Sequence, residues 1–487
     1  MRFSRLKSGM CAVLMALQTL PAHCEVTGSD LPDFGDSSGS LISPVQEMQL
    51  GAEFMRSVRA QATLVTDPDI EGYIRQLGAR LVANSDAPGY PFTFFVVDND
   101  TVNAFAGPGG YIGIHTGLIL TAENESELAG VMAHEIAHVT QRHLLRAYES
   151  ANQMSLPTAA GMIAAILLGI AGSNPEAGLA ALSAVQGASI QQQLNFTRAN
   201  EREADRIGIQ TLANSGIDPY GMPGFFERLQ QATRLYGNNY PEFLLTHPVT
   251  ADRIAESMSR AESFGHGKDV DSPDFRLIRA RLRVLGAHSP PEVLKYFQAR
   301  IAKADAGPAD YYGLTLALWR NNDHAAAKKQ LQALLDKDPD RKIYRSTLAR
   351  LALDSGQGEQ ALKLYEDTLK LYPGDLIVGQ HYTSALLQTG KAAEAREQAL
   401  KMLRDERARS ADMYELWAKA ASVAGPAWET HVASAEAYYL YGNLSFAIDQ
   451  LNKALQYKGL SDYEQARIEA RQKEFKQLLK NREGKDK

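Results

Sequence analysis

A 34-residue step runs through the C-terminal part of the sequence. LDKDPD at 335–340 and LKLYPGD at 369–375 set Pro339 and Pro373 one step apart. Ala327, Ala361 and Ala395 keep the same step, and so do Gly356 and Gly390. Gly442 and Ala447 repeat the five-residue Gly-to-Ala offset further on. A unit of this length holds two short helices and cannot bury its apolar face alone. Neighbouring units must stack, so this region is confined to a helical solenoid.

A 34-residue helix–turn–helix period is the tetratricopeptide signature. The small alanine lets two helices approach closely, and the proline closes each unit. We assign residues 308–482 to this array. The charged tail KEFKQLLKNREGKDK is expected to fray.

The chain has 487 residues, too many for one compact domain, and two or three are expected. Its N-terminus reads differently from the rest. Arg2, Arg5 and Lys7 precede an apolar run from about Met10 to Leu20. That is the charged and hydrophobic pattern of an export signal, too short to span a bilayer. Cleavage before Glu25 places Ala22 and Cys24 at the small-residue positions. A lipid on Cys24 would need a small residue where His23 stands. Residues 1–24 are therefore read as a signal peptide and the mature chain as exported. Cys11 and Cys24 are the only cysteines. The mature protein then has no internal disulfide, and any metal must sit on His, Asp and Glu. A net charge of −6 argues against nucleic acid as a partner.

Residues 25–45 are rich in Gly, Ser, Asp and Pro and read as an extended lead-in. Helical patterns cover Gln46 to about Ala60 and Asp69 to Ala83. Pro91 to Asn99 is aromatic and β-branched and predicts a strand. Gly107-Pro108-Gly109-Gly110 signals a turn, with Tyr111–His115 as the returning strand. Asn124 with Glu127 fits a capping box, after which Leu128, Val131, Met132, Ile136 and Val139 form an apolar stripe. Residues 157–185 are strongly apolar with a break at Gly172-Ser173-Asn174-Pro175. They form either a helical hairpin packed on the domain or an element that touches a membrane. A further helix carries Asn200 to Pro219, ended by Gly216 and Pro219. Another starts near Thr250, and the polar, glycine-bearing sequence after Ser263 marks a domain boundary.

The stripe-bearing helix contains VMAHEIAHVTQRH, Val131 to His143. Positions four apart share one helical face, so His134 and His138 can present imidazoles to one cation. Glu135 lies about 100° round from His134 and can reach a water bound to that cation. Peptide hydrolysis needs this division: Zn²⁺ lowers the pKa of its bound water toward ~7, and a carboxylate takes the proton. A solvated polar helix can carry the same five residues by chance, but a catalytic zinc also wants a third protein ligand. Glu201 can complete a His₂Glu set, and Asp205, one turn on, can hold a ligating imidazole in its tautomer. Glu203 lies on a different face and is the alternative ligand. His143, about 500° beyond His138 on a continued helix, is expected to face away into solvent. His115 reads as structural. His247, in THPVTADR, reads from the residues alone as a turn histidine before proline.

HEIAH with a later E-x-x-A-D helix, NAFAGPGG before it and THPVTADR after it resembles the zinc peptidase family of the CAAX prenyl proteases and the heat-shock membrane protease. The export signal and tetratricopeptide repeats narrow the resemblance to a periplasmic branch that acts on outer-membrane β-barrel proteins. It covers nearly the whole mature chain. It implies one Zn²⁺ on His134, His138 and Glu201, with Glu135 as general base. It implies a substrate cleft bordered by Asn103 to Gly110, with Asn103, Ala104 and Phe105 on an edge strand that pairs with extended peptide. His247 would be a regulatory ligand in the open position, and Arg253 would stabilise the oxyanion. Pro108 departs from the family pattern and changes which backbone groups are free to pair.

The expected fold is mainly α: a zincin-like peptidase domain with a small β-sheet at 25–265, helical or repeat-like residues at 266–307, then the solenoid. Two functions compete. One is an endopeptidase with chaperone-like activity that degrades stalled β-barrel proteins while its repeats dock the assembly machinery or the substrate. The other is a non-proteolytic scaffold with a largely latent metal site.

Overall fold

The computed structural model describes residues 43–146, 161, 163, 164, 198–236, 241–268 and 271–483, and the account below concerns those. The signal peptide, both cysteines and most of the lead-in lie outside them. So does the 157–185 stretch apart from Gly161, Ile163 and Ala164. Elements are numbered in chain order among the described residues.

Helix α1 (Pro44–Gln61) starts with a reciprocal cap between Ser43 and Gln46. Helix α2 (Pro68–Ala83) is capped by Asp67, whose carboxylate accepts the Ile70 N–H at 3.2 Å. Both run close to the predicted spans. Strands β1 (Thr93–Val97), β2 (Ala104–Ala106) and β3 (Tyr111–His115) form one sheet in the order β1-β3-β2. β3 runs parallel to β1, with Thr93 opposite Tyr111, and antiparallel to β2, with Ala104 opposite Ile114. The returning strand therefore returns against β2, a three-residue strand too short to show a period in the sequence. Gly110, at φ +77°, closes the turn between them. A Cβ there would lie 2.1 Å from the Pro91 carbonyl oxygen, so only glycine fits.

Helix α3 (Thr116–Thr121) leads into α4 (Glu125–Thr140), which bears HEIAH. Asn124 accepts the Glu127 N–H at 3.0 Å, but the Glu127 carboxylate turns to the Glu123 N–H at 2.7 Å and to Arg228. Only half of the expected capping box forms. The predicted stripe is also too narrow a description: every residue from Glu125 to His138 is buried. Helix α5 (Arg198–Asn214) packs along α4, and α6 (Gly221–Tyr236) closes over it. Gly208 permits the close approach, since a Cβ there would stand 3.1 Å from the His134 backbone nitrogen. A short helix α7 (Phe243–Thr246) and α8 (Ala251–Phe264), capped by Thr250, complete this half. Val96, Ile114, Leu128, Met132, Ile136, Phe225 and Phe226 fill its core.

Helix α9 (Pro273–Gly286) belongs to two cores at once. Phe275, Ile278 and Leu282 enter the first, while Leu277, Ala280 and Val284 enter the next. After α10 (Pro290–Ile301) the helical pairs follow: α11 (Pro308–Arg320), α12 (His324–Leu335), α13 (Lys342–Asp354), α14 (Gly358–Leu371), α15 (Leu376–Gln388) and α16 (Ala392–Met402). Helices α17 (Ala411–Ala424), α18 (Ala427–Leu440), α19 (Leu444–Leu455) and α20 (Asp462–Glu483) end the chain. Ala327, Ala361, Ala395 and Ala447 are all fully buried where helices meet. Gly356, Gly390 and Gly442 adopt φ +76°, +77° and +78°, and the following amide bonds back to Ala352, Leu386 and Tyr438. This is the left-handed helix stop that favours glycine. Asn322, one 34-residue step before Gly356, takes the same role at φ +62°. Among the described residues the tail is helical: α20 continues to Glu483, with Phe475 fully buried and Arg471 over its ring.

The array is tied to α2. Arg281 on α9 donates to both Asp67 oxygens at 2.7 and 2.6 Å and lies 3.2 Å from Asp69. His381 on α15 reaches Asp69 at 3.1 Å, and Arg350 on α13 lies 3.6 Å from it. Beside them Gly72 admits Ile377, whose Cδ1 would be 2.3 Å from a Cβ at that position. Among the described residues, no helix is long and apolar enough to cross a membrane.

Candidate metal centre

α4 and α5 each present two polar residues one turn apart, on facing sides. His134 and His138 come from the first, Glu201 and Asp205 from the second. The two histidine Nε2 atoms lie 3.0 Å apart. Glu201 brings Oε2 to 3.5 Å from His134 Nε2 and Oε1 to 3.5 Å from His138 Nε2. His247, at the end of α7, places Nδ1 3.0 Å from Glu201 Oε1 and 3.4 Å from His134 Nε2. One ligand atom from each of His134, His138, Glu201 and His247 falls within 4.8 Å of the others, and all four residues are buried.

The remaining groups orient these four. Asp205 Oδ1 faces His134 Nδ1 at 3.0 Å, which turns the Nε2 lone pair toward the cluster. Arg253 on α8 grips Asp205 through Nε and Nη2, each at 2.8 Å. Its Nη1 lies 2.8 Å from Glu201 Oε2 and donates to the Pro248 carbonyl at 2.7 Å. The guanidinium is buried over the Phe226 ring with its donors turned to these acceptors. Phe243 stacks on His247 with centroids 4.8 Å apart, which fixes the ring's entry angle.

Electrostatics follow from burial and these partners. Burial opposes charging of His134, but Asp205 and Glu201 outweigh it and push its pKa up to about 9. Burial would raise Glu201, yet His247 and His134 hold it well below the carboxylate range. His138 is held well below its ordinary value by burial and by charge on His134. Glu135 is fully buried, and burial pushes its carboxyl up. The Ala106 backbone on the β2 edge faces the Glu135 carboxylate, and His247 Nε2 is 3.5 Å from its Oε1. Three imidazole nitrogens and a carboxylate oxygen converge within one small buried space, the donor set of a divalent cation, so the residues fit a metal.

Family models match this chain as Peptidase family M48 over residues 68–261 and as tetratricopeptide repeat over residues 312–375 and 346–412. The β-barrel assembly-enhancing protease of Escherichia coli (strain K12) is 36% identical over 482 residues, 98% of this chain and 98% of that protein. The chain belongs to this protease family. A Vibrio cholerae protein named putative β-barrel assembly-enhancing protease is 37% identical over 99% of both chains. The mitochondrial metalloendopeptidase OMA1 of Bos taurus is 33% identical over 184 residues, 36% of this chain and 34% of that one. The chain is thus a metallopeptidase followed by tetratricopeptide repeats, mainly helical with a small sheet, as its sequence predicts.

Of the residues singled out in the sequence, His134, Glu135, His138, Glu201, Asp205, His247 and Arg253 come together. Asn103, Ala104 and Phe105 lie on or beside β2, an edge of the sheet that packs against α4. His115 is buried with Nδ1 2.9 Å from Thr101 Oγ1, a structural setting. Glu203 stands apart from the ligand atoms. The expectation for His143 is wrong. It is fully buried, with Nδ1 2.9 Å from His138 Nδ1. α4 ends at Thr140, and Arg142 takes φ +55°, so the chain turns back instead of continuing round the helix.

Proposed function

We propose that this chain is a periplasmic zinc endopeptidase, held latent by His247, that degrades stalled or misassembled outer-membrane β-barrel proteins and assists their assembly. The observation that carries this reading is the position of His247. One ring nitrogen sits among the ligand atoms, and the other faces the Glu135 carboxylate. The same residue would thus compete with a water for a bound metal and covers the base that would use that water.

His134, His138 and Glu201 would hold the zinc. When bound, zinc would acidify a water and polarise the scissile carbonyl. Glu135, raised by burial, takes the proton of the attacking water and returns it to the leaving amine. Asp205 keeps the His134 tautomer, and Arg253 holds Asp205 and Glu201 in register. An oxyanion role for Arg253 would require it to release one of those bonds. Edge strand β2 would pair with an extended client segment through its backbone. Zinc suits a His₂Glu set with one exchangeable position.

The repeats would dock the assembly machinery or the client. Peripheral membrane contact through residues 157–185 belongs to the same proposal, and nucleic acid has no part in it. The scaffold reading is favoured by the complete burial of the ligand cluster, which keeps the site shut in this conformation. Deleting 308–487 would not separate the two readings, because α2 and α9 would lose their partners in the array.

A digestion series separates them. Wild type, Glu135→Gln and His247→Ala, each with its zinc content measured, are incubated with an unfolded β-barrel precursor. A latched peptidase is expected to show faster cleavage by His247→Ala and none by Glu135→Gln. If none cleaves while each holds one zinc, the function moves to the repeats and their partner.

A further inference from the structure

The turn that buries His143 brings it behind one of the ligating histidines. Arg142, at φ +55°, occupies a region costly for a residue with a Cβ. The helical turn that follows starts at His143, where the Arg146 N–H bonds to the Arg142 carbonyl at 2.9 Å. The rings of His138 and His143 then meet at a centroid distance of 4.9 Å and 73° between planes. On its far side His143 Nε2 lies 3.1 Å from Glu203 Oε2 on α5.

We propose that Glu203 and His143 form a positioning relay that fixes His138 in the tautomer required of a metal ligand. The proposal rests on the reading of His134, His138 and Glu201 as ligands. With His143 neutral, its protons follow from these two partners. A carboxylate only accepts, so Glu203 draws the His143 proton to Nε2. His143 Nδ1 is then a lone pair and accepts from His138 Nδ1–H. That leaves His138 Nε2 as a lone pair 3.5 Å from Glu201 Oε1, aimed into the cluster. The opposite tautomers would put a proton on His138 Nε2, where the metal has to bind.

The relay mirrors the arrangement at His134, whose Nδ1 faces Asp205 directly. On His138 the carboxylate acts through an intervening imidazole. Glu203, two residues from both Glu201 and Asp205 and so on another face of α5, is thereby tied to the site through His143. Its side chain is about a third exposed, at 35%, so the relay has one end at the surface.

The test measures zinc affinity of the full mature chain by competition with a chromogenic chelator, with cobalt(II) absorption as a second readout. His143→Leu removes the acceptor and should weaken zinc binding about 10- to 100-fold and alter the cobalt spectrum. His143→Asn keeps an acceptor at the Nδ1 position and should restore most of the affinity and the wild-type spectrum. Thermal unfolding of the chelator-treated proteins checks that each variant folds. If His143→Leu does not fold, Glu203→Leu at its part-exposed position carries the test and should weaken zinc binding several-fold. Wild-type affinity within about twofold, with an unchanged cobalt spectrum, in the folded acceptor-less variant would overturn the relay alone. A wild-type chain that takes up no metal would overturn the ligand reading and the relay together.

Discussion

Two buried clusters of acids, arginines and histidines lie in this molecule, and they are built to opposite ends. Around α4, Glu201 and Asp205 share one guanidinium, Arg253, and three imidazoles point ring nitrogens at one another. Between α2 and the repeats, Asp67 and Asp69 face two guanidiniums, Arg281 and Arg350, with His381 directed at a carboxylate. The second set balances its own charge and acts as a clamp. The first gathers ring nitrogens and a carboxylate oxygen around one point. Burial and mixed charge are common to both, so neither marks a metal site; the convergence of several imidazole nitrogens with a carboxylate oxygen does.

That contrast can be broken most sharply at Glu135. Glu135→Gln should slow peptide cleavage by about 10³-fold while zinc content, measured by atomic absorption, stays at the wild-type value. Loss of zinc in this variant would mean the carboxylate is a ligand instead of a base. The clamp should respond in stability alone. Arg281→Met strands buried carboxylates and should lower the unfolding free energy by about 3 kcal/mol in denaturant titration, with zinc content unchanged.

Acid sharpens this second prediction. Burial would raise the Asp69 carboxyl, but Arg281, His381 and Arg350 outweigh it and hold it well below the usual range. Its folded-state value is thus depressed, so its stabilisation is complete above the unfolded value of about 4 and is lost as pH falls further. Wild type should therefore unfold at lower pH than Arg281→Met. A smaller effect is expected at the latch. His247→Ala should cleave about tenfold faster, the gain when a state closed nine-tenths of the time is released. The smallest concerns the frame of the metal helix: Asn124→Ala should cost about 1 kcal/mol of stability through loss of the α4 cap.

The first cluster was largely legible in the sequence and the second was not. His134/His138 and Glu201/Asp205 are each spaced by four, so helical geometry alone places each pair on one face. The clamp joins residues 67, 69, 281, 350 and 381, which share no local spacing; only tertiary packing brings them together. His143 failed for a different reason. The angular argument assumed that α4 continues past Thr140, and neither Gln141 nor Arg142 is a residue type that announces a left-handed stop. In the repeats such stops were legible because glycine supplies most of them, while Asn322 does the same work without the signal. Strand β2 has three residues, too few to display an alternation, so it was legible only through the family resemblance that set Asn103 to Phe105 on an edge strand.

The seating of Ile377 over Gly72 has a consequence for anyone who recombines these proteins. The peptidase and the repeat array meet like a cut key and its lock. A foreign array grafted after α9 would meet α2 with the wrong profile unless residues 67–72 travelled with positions 281, 350, 377 and 381. Chimeras that exchange the halves at the apparent boundary should therefore express poorly, and those that carry the matched set should behave as single proteins.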